Sequence, residues 1–240
     1  NDEKIRVLPS RYYKLSTDGS VEIPEGKLNG LITVKLADEF FDDPDAHKGV
    51  YVIPMRITQA DRVDSILSGR AAMANPDLHE AAHWEITPKN YTLFGGKYVN
   101  PYHGKWLRRG ALVVKNPSGA EIDRIVYRTA ETVSLTTTSM SDVVGGWRIK
   151  GEEFALRLSV TDGEITVSSQ DNAAIDVSGT GKYVENDAEW GGTVEKPRKR
   201  DVLYLKYAYD RADGNRCEVC DTLVFRDRAI VFEDNRPKIK

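Results

Sequence analysis

The pattern His79-Glu80-Ala81-Ala82-His83 has residue types and a spacing that could do chemistry. Written H-E-x-x-H, it places two imidazoles on one helix face around zinc, with the glutamate as the base of a metalloprotease. Pro76 and Pro88 limit any helix here to about three turns, and neither a glycine nor a third histidine follows at the spacing of the longer zinc motif. We therefore expect a polar connecting segment, and a metalloprotease in this segment is kept as an alternative.

The two cysteines, Cys217 and Cys220, form a lone C-x-x-C pattern. Their segment reads as a β-strand, in which residues i and i+3 point to opposite faces and lie about 10 Å apart. A disulfide requires Cα atoms within about 7 Å. The sequence therefore predicts two free thiols rather than a disulfide, a redox pair or a metal pair.

Five acidic residues cluster in one turn-rich loop: Asp38, Glu39, Asp42, Asp43 and Asp45. Oxygen ligands at this density could hold Ca²⁺, although the Asp-x-Asp-x-Asp-Gly spacing of a calcium loop is missing. We expect a solvated acidic loop, and whether Asp42–Asp45 binds calcium stays open. No metal site and no cofactor is predicted for the chain.

Two tryptophans are the candidates for ligand binding. Trp147 follows Gly145-Gly146 and Trp190 precedes Gly191-Gly192, and both lie in polar segments. Sugar C–H faces stack on aromatic rings, so an exposed tryptophan in a glycine-rich loop could bind a glycan, although packing in the core is the competing interpretation. Trp106 and Tyr98, in strand-like context, are predicted to be core residues. No Ser-His-Asp order and no G-x-S-x-G motif is present, so no catalytic residue is predicted.

The elements that would position these residues are β-strands. In Glu153–Val160 apolar and polar residues alternate, and Asp162-Gly163 marks a two-residue hairpin before the alternation resumes at Ile165. Period-two alternation indicates a half-buried antiparallel strand. The same pattern recurs at intervals along the chain, which indicates an all-β protein with helix confined to short turns.

Composition excludes several classes of function. The 240 residues carry 34 basic and 37 acidic side chains, a net charge of -3, so no wide basic face is available for nucleic acid. No apolar run approaches the roughly 20 residues of a membrane span. Hydrophobic residues make up 40% of the chain, which is enough for a folded core.

The strand pattern predicts two domains. Strands near Ile5–Leu8, Val21–Ile23, Leu31–Leu36 and Val50–Ile57 are assigned to a domain over residues 1–85. A short helix is expected over Ala60–Leu67 and a linker over Gly69–Lys89. Closely spaced strands from Tyr91 onward predict a meandering barrel or sandwich over residues 90–240.

Several segments resemble a known family. They are V-L-P-S-R-Y-Y-K-L-S (Val7–Ser16), V-E-I-P-E-G (Val21–Gly26), A-D-E-F-F-D-D-P (Ala37–Pro44), Y-V-I-P-M-R-I-T (Tyr51–Thr58), D-S-I-L-S-G (Asp64–Gly69), Y-V-N-P-Y-H-G-K-W-L-R-R-G (Tyr98–Gly110) and D-T-L-V-F-R-D-R (Asp221–Arg228). The chain resembles Bacteroides-type secreted lipoproteins that join an N-terminal immunoglobulin-like domain of unknown function to a C-terminal calycin-like, or lipocalin-like, barrel.

The resemblance implies an immunoglobulin-like β-sandwich over 1–85 followed by a calycin-like antiparallel β-barrel over 90–240. Family members usually carry a signal, a lipidated cysteine and further strands before the segment matching Val7–Leu15, so we expect the sandwich to be incomplete or trimmed. The implied location is the envelope of a Gram-negative bacterium, at the outer-membrane surface or in the periplasm, with a lipid anchor as the membrane contact.

The resemblance also implies a function without catalysis. The leading hypothesis is a glycan-binding or accessory module whose partners are polysaccharide or other outer-membrane glycan-uptake proteins. The alternatives are a lipocalin-like carrier of a small apolar ligand, lined by Leu203, Leu205, Tyr207 and Tyr209, and a purely structural protein-interaction module. A filled barrel interior would argue against the carrier, which needs an empty volume of about 300 Å³ or more.

Overall fold

The computed structural model describes residues 4–78, 80–170, 173–193 and 196–230, and it is nearly all β. The all-β prediction is confirmed, and the longest helix in these ranges is the four-residue α1 (Asp38–Phe41). None of the helices in the described ranges is long and apolar enough to cross a membrane. The chain divides between Tyr98 and Val99 into two compact units. That residues 1–85 and 90–240 are separate domains stays a prediction.

The first unit contains three small sheets. Its strands are β1 (Arg6–Val7), β2 (Tyr13–Leu15), β3 (Val34–Leu36), β4 (Tyr51–Arg56), β5 (Arg70–Ala71), β6 (Trp84–Ile86) and β7 (Tyr91–Gly96). Strand β4 pairs in parallel with β1 and antiparallel with β7, while β2 pairs with β3 and β5 pairs with β6. Alternate residues of β4 are buried in a core that contains Tyr12, Phe40, Tyr51 and Ile53.

Three local expectations for this unit are wrong. The segment Gly69–Lys89, expected to link the two domains, lies within the first unit and contains the β5–β6 ladder and a 3-10 turn at Ala81–His83. Residues 60–67 form bends rather than a helix. The strand expected to open the barrel at Tyr91 pairs instead with β4, in register from Tyr51↔Gly96 to Arg56↔Tyr91.

The second unit is a closed antiparallel barrel of eight strands. They are β8 (Gly104–Lys115), β9 (Glu121–Thr137), β10 (Asp142–Ile149), β11 (Glu152–Thr161), β12 (Glu164–Ser169), β13 (Val177–Gly192), β14 (Pro197–Asp210) and β15 (Arg216–Asp227). Neighbours in sequence are neighbours in the sheet, β15 pairs with β8, and β9 with β10 completes the ring. The predicted Asp-Gly hairpin joins β11 to β12, with positive φ at Asp162 and Gly163.

Inward-facing side chains fill the barrel. Trp106, Leu112, Leu135, Leu156, Leu158, Leu203, Leu205 and Tyr209 are each at most 1% exposed. Glycines make room where strands carry large neighbours: a Cβ on Gly179 would stand 2.5 Å from Tyr207 Cβ, closer than real Cβ contacts. The alternation read from the sequence therefore produces a packed interior.

The ring is closed by only a short ladder between β9 and β10. Paired residues in these two strands are Val143↔Thr137, Val144↔Thr136 and Gly145↔Leu135. Beyond Gly145 the two strands are not paired with each other in the described structure, and the register between β8 and β9 shifts between Arg108 and Gly110. We call this unpaired stretch, between β9 residues 121–134 and β10 residues 146–149, the β9–β10 gap.

The β13–β14 hairpin extends past its neighbours. Strand β12 pairs with β13 only as far as Lys182, and β15 pairs with β14 only from Val202 onward. The remainder, Tyr183–Gly192 with residues 197–201, is a two-stranded extension that we call the hairpin arm. Asp201 holds its base, because its carboxylate accepts from the Tyr183 hydroxyl (3.0 Å) and from the Asn186 N–H (3.1 Å).

Candidate functional site

Trp190 lies near the end of the hairpin arm, and its side chain is exposed as expected. It is 41% exposed and is followed by Gly191 and Gly192, both at positive φ. Arg200 holds the residue from the facing strand: its Nε donates to the Trp190 carbonyl (3.1 Å), and its guanidinium carbon lies 5.5 Å from the ring centroid. A cation within about 6 Å of an indole ring centroid is attracted to the ring face.

A second exposed aromatic residue belongs to the same hairpin. Tyr204 is 39% exposed, and its hydroxyl donates to the Asp187 carboxylate (2.7 Å). This hydrogen bond raises the pKa of Tyr204, and desolvation adds to the effect, so the hydroxyl stays protonated at neutral pH. The hairpin thus presents two aromatic side chains and a carboxylate to solvent.

The expectation that Trp147 is exposed is wrong. Its side chain is 2% exposed and lies in the barrel core, because Val143, Gly145, Trp147 and Ile149 form the inward face of β10. A Cβ on Gly145 would lie 2.8 Å from Trp147 Cζ3 and 2.7 Å from Leu135 Cδ2. The glycine that suggested a loop instead makes room for the indole.

Trp147 belongs to a buried polar cluster around Asp221. One carboxylate oxygen, Oδ2, accepts from Arg108 Nε (2.9 Å), Trp147 Nε1 (3.1 Å) and the Tyr207 hydroxyl (2.7 Å). The side chains of Arg108 and Asp221 are 4% and 0% exposed. Burial, with the nearby Asp221 charge, raises the pKa of Tyr207 well above its ordinary value. Tyr207 is therefore a neutral donor to this carboxylate.

Two buried polar atoms of this region have no hydrogen-bond partner in the described structure. They are Asp221 Oδ1 and the Tyr127 hydroxyl oxygen. Gly110 pairs with both residues, with Tyr127 on β9 and with Asp221 on β15, so the three form one row across adjacent strands. A Cβ on Gly110 would stand 2.0 Å from Asp221 Oδ1, so the carboxylate occupies the space that a side chain would fill.

The acidic loop is tied to the core of the first unit. Asp43 accepts from the Tyr12 hydroxyl (2.7 Å), the Tyr51 hydroxyl (3.0 Å) and the Asp45 N–H (2.7 Å). Asp45 pairs with Arg6 and Lys48. Within the described residues no group of three or more metal-ligating side chains is positioned to hold an ion. Asp43 and Asp45 of this loop are therefore bound by protein groups.

The described part of the histidine motif, residues 80–83, is not α-helical. His79 lies outside the described residues, and the part that follows is a single 3-10 turn at Ala81–His83. His83 Nδ1 accepts from the Asp77 N–H (3.0 Å), and Glu80 accepts from the Ala82 N–H (3.3 Å). These hydrogen bonds join residues that are close in sequence, as in a turn.

The prediction of free thiols is confirmed: Cys217 and Cys220 are both unbridged. They point to opposite faces of β15, so Cys217 is buried and Cys220 is exposed. Burial raises the pKa of the Cys217 thiol.

Sequence comparison identifies the barrel unit. A family model described as a domain of unknown function, DUF5627, matches residues 101–229, which is more than half of the chain. The chain belongs to the DUF5627 family. A separate model of an N-terminal domain matches residues 1–64. No curated protein matches the sequence.

Among solved structures, the chain is similar to a Bacteroides ovatus protein of unknown function. The identity is 33% and the TM-score 0.76, over 96% of this chain and 75% of the other. A Bacteroides thetaiotaomicron protein described as an auxiliary nutrient binding protein matches at 13% identity and a TM-score of 0.42, over 92% of this chain and 70% of the other. The DUF5627 chain therefore shares its fold with the first protein.

No motif in the sequence indicates the buried cluster of the DUF5627 barrel. The alternation of buried residues does give a weak indication of it. Asp221 continues the buried positions Cys217 and Val219 of β15, and Arg108 continues the buried position Trp106 of β8. Opposite charges at inward positions of two strands indicate a buried ion pair. The two residues are 113 positions apart in the sequence, so no local pattern indicates that they meet.

Proposed function

We propose that this protein is a non-enzymatic glycan-binding module of a polysaccharide-uptake system, with Trp190 on the hairpin arm as its principal contact. The finer assignments belong to the same proposal: an immunoglobulin-like first unit, a calycin-like barrel, and a lipid anchor in the envelope of a Gram-negative bacterium. The expected partners are polysaccharide and other outer-membrane glycan-uptake proteins.

The observation that carries the proposal is an exposed indole that is already held in place. Trp190 is exposed, and two glycines at positive φ follow it. Arg200 binds its carbonyl and stacks near its ring. A ring that is fixed before binding loses little conformational entropy when a sugar face stacks on it.

The polar groups of the hairpin suit a hydroxyl-rich ligand. Asp187, beside the exposed Tyr204, carries carboxylate oxygens that can accept from sugar hydroxyls. An open platform of this type accommodates a long chain that continues past it on both sides. The proposed ligand is therefore an internal segment of a polysaccharide.

The filled barrel interior favours this function over transport of an apolar ligand. Leu203, Leu205, Tyr207 and Tyr209, the residues expected to line a carrier's cavity, are at most 4% exposed and pack together with Trp106 and Leu156. An apolar ligand would have to displace packed side chains, which destabilises a close-packed core.

The test is retardation of the purified protein in native gels that contain plant or host glycans. Wild type should be retarded in at least one gel, and Trp190→Ala should lose about ten- to hundredfold in affinity, since one aromatic contact contributes roughly 1–3 kcal/mol. Phe94→Ala is the matched control, because Phe94 is an exposed aromatic residue (43%) of the first unit and should leave retardation unchanged. Free migration of wild type in every gel would contradict glycan binding and favour a protein-interaction role.

A further inference from the structure

The end of the hairpin arm carries a cation beside the exposed indole. The guanidinium carbon of Arg200 lies 5.5 Å from the Trp190 ring centroid. Its Nε donates to the Trp190 carbonyl (3.1 Å), and its Nη1 donates to the Arg226 carbonyl (3.2 Å). Both acceptors are neutral, and Arg200 forms no ion pair with any residue that the structure describes. Its positive charge therefore has no negative partner among those residues.

The remaining nitrogen of this guanidinium, Nη2, lies beside an open position. It donates no hydrogen bond to the described residues. A Cβ built on Gly191 would stand 3.7 Å from Arg200 Nη2 and, apart from the residues that adjoin the glycine, within 4 Å of no other described atom. Gly191 has no side chain to fill that position. Room for an external acceptor therefore exists next to Nη2, one residue from Trp190.

Arg198 adds a second positive charge on the same side of the arm. Residues two apart in a strand point to the same face, so Arg198 and Arg200 share one face of β14. Arg198 is exposed, and it forms no ion pair within the described part of the chain. Its Cγ lies 3.3 Å from the position that a Cβ on Gly192 would take. Each of the two glycines after Trp190 therefore lies next to one of these arginines.

The carboxylate of Glu189, the residue before Trp190, belongs to the other face of the arm. In the β13–β14 ladder Glu189 pairs with Lys199, and Ala188 pairs with Arg200. Cross-strand partners share a face and successive residues alternate between faces, so Glu189 and Lys199 lie opposite to Arg200. The side of the arm's end that carries Arg200 and the indole is therefore positively charged.

We propose that the polysaccharide bound at Trp190 is anionic and carries carboxylate or sulfate groups. One such group accepts from Arg200 Nη2 at the open position beside Gly191, and Arg198 attracts the next charge along the chain. This inference rests on the glycan-binding function proposed above and names the class of glycan that the same site binds.

A negative group uses what a neutral sugar leaves unused. Hydrogen bonds from a guanidinium to a carboxylate or sulfate oxygen are roughly twice as strong as those between neutral groups. A neutral sugar can stack on Trp190, but it leaves the charges of Arg198 and Arg200 without a partner. Because both arginines lie at the surface of the arm, their attraction for an anion should weaken as salt screens it.

The test compares polymers that differ only in charge, by isothermal titration calorimetry. Polygalacturonate is paired with its methyl-esterified form, and dextran sulfate is paired with dextran. Wild type should bind the anionic member of at least one pair about tenfold more tightly than the neutral member, and the pair that shows this distinguishes a carboxylate from a sulfate. Raising sodium chloride from about 50 to about 500 mM should remove most of this preference.

Two variants locate the preference on the arm. Arg200→Gln and Arg198→Gln should each weaken binding of the preferred polyanion about three- to tenfold, and binding of its neutral partner by less than about twofold. Arg198 has no contact with the Trp190 ring or carbonyl in the described structure, so Arg198→Gln decides if Arg200→Gln disturbs the indole. Arg124→Gln is the matched control. It makes the same change of charge at an exposed arginine (56%) of β9, and it should bind like wild type.

The inference and the function beneath it fail in different ways. Equal affinity of wild type for both members of each pair, with binding lost in Trp190→Ala, would overturn the anionic ligand and leave the glycan site in place. Equal weakening by Arg124→Gln and Arg198→Gln would show attraction to surface charge in general, and would also overturn it. So would the absence of binding to either polyanion, whereas the gels with plant and host glycans test the Trp190 site independently.

Discussion

At the scale of single residues, the buried Asp221 carboxylate connects side chains from three other strands of the barrel. Its one oxygen Oδ2 connects Arg108 of β8, Trp147 of β10 and Tyr207 of β14. Because the carboxylate is fully buried, its charge is tolerable only beside the Arg108 cation. Removing Arg108 leaves the Asp221 charge uncompensated, and removing Asp221 leaves the buried Arg108 with the more exposed Glu131 as its ion-pair partner.

Asp221→Ala should therefore lower the free energy of unfolding by about 3–5 kcal/mol, the range for breaking a buried ion pair by removing one member. Urea unfolding followed by tryptophan fluorescence measures this change. Glu218→Ala on the same strand is the control: Glu218 is 43% exposed in its pair with Lys115, so its loss should cost at most about 1 kcal/mol. Equal costs for the two variants would show that the buried pair contributes no more than a surface pair.

The two thiols should react at different rates in the folded protein. Cys220 is exposed, whereas Cys217 is buried with a raised thiol pKa, which lowers the fraction of reactive thiolate. Mass spectrometry after alkylation without reductant should find one adduct on Cys220 in native protein and two adducts in urea. Rapid native labelling of Cys217 would contradict its burial.

At the scale of elements, the loop after α1 links the acidic cluster to the core of the first unit. Hydrogen bonds from Arg6 and Lys48 lower the pKa of Asp45 to about 2. For Asp43, burial raises the pKa, but the Asp45 N–H and the hydroxyls of Tyr12 and Tyr51 outweigh it, so the net shift is downward. Both carboxylates stabilise the fold in their charged form.

The contribution of these carboxylates should be fully present above their unfolded pKa, near 3.8, and should be lost as the pH falls toward 2. The carboxyl carbon of Asp45, followed by NMR during an acid titration, should have its midpoint near 2. In Arg6→Gln the midpoint should move up toward 3.8, because the largest cause of the shift is removed. An unchanged midpoint in that variant would show that Arg6 does not bind Asp45 in solution.

The sequence predicted the strands well because most of them bury one face. The alternation in β4, β11 and β14 is visible without knowledge of their neighbours, and Asp162-Gly163 fixes its hairpin locally. The site was predicted only in part. Trp190 is exposed as expected. Gly145-Gly146 suggested a loop at Trp147, but Gly145 instead leaves room for the indole beside Leu135, and that contact forms only in the folded barrel. The Arg108–Asp221 pair depends on strand order, which no local pattern contains.

At the scale of the whole molecule, each compact unit has a hydrophobic core of its own. The core of the first unit is built from residues such as Tyr12, Phe40 and Tyr51, and that of the barrel from residues such as Trp106 and Leu156. The barrel ring is complete within residues 104–227. Burial of this kind, with every strand of the ring paired on both sides, is what a domain needs to fold alone.

We therefore predict that a fragment beginning at Val99 folds without the first unit. Its far-ultraviolet circular dichroism should be that of a β-sheet protein. Near-ultraviolet signals should persist from the buried indoles Trp106 and Trp147. Thermal unfolding should be a single cooperative transition, because the strands of the ring share one core and only the β9–β10 ladder is short. The same fragment with Asp221→Ala is the control, and it should melt at a lower temperature. A fragment with sheet content but no near-ultraviolet signal would lack fixed packing, which would mean that the barrel needs the first unit to reach its native core.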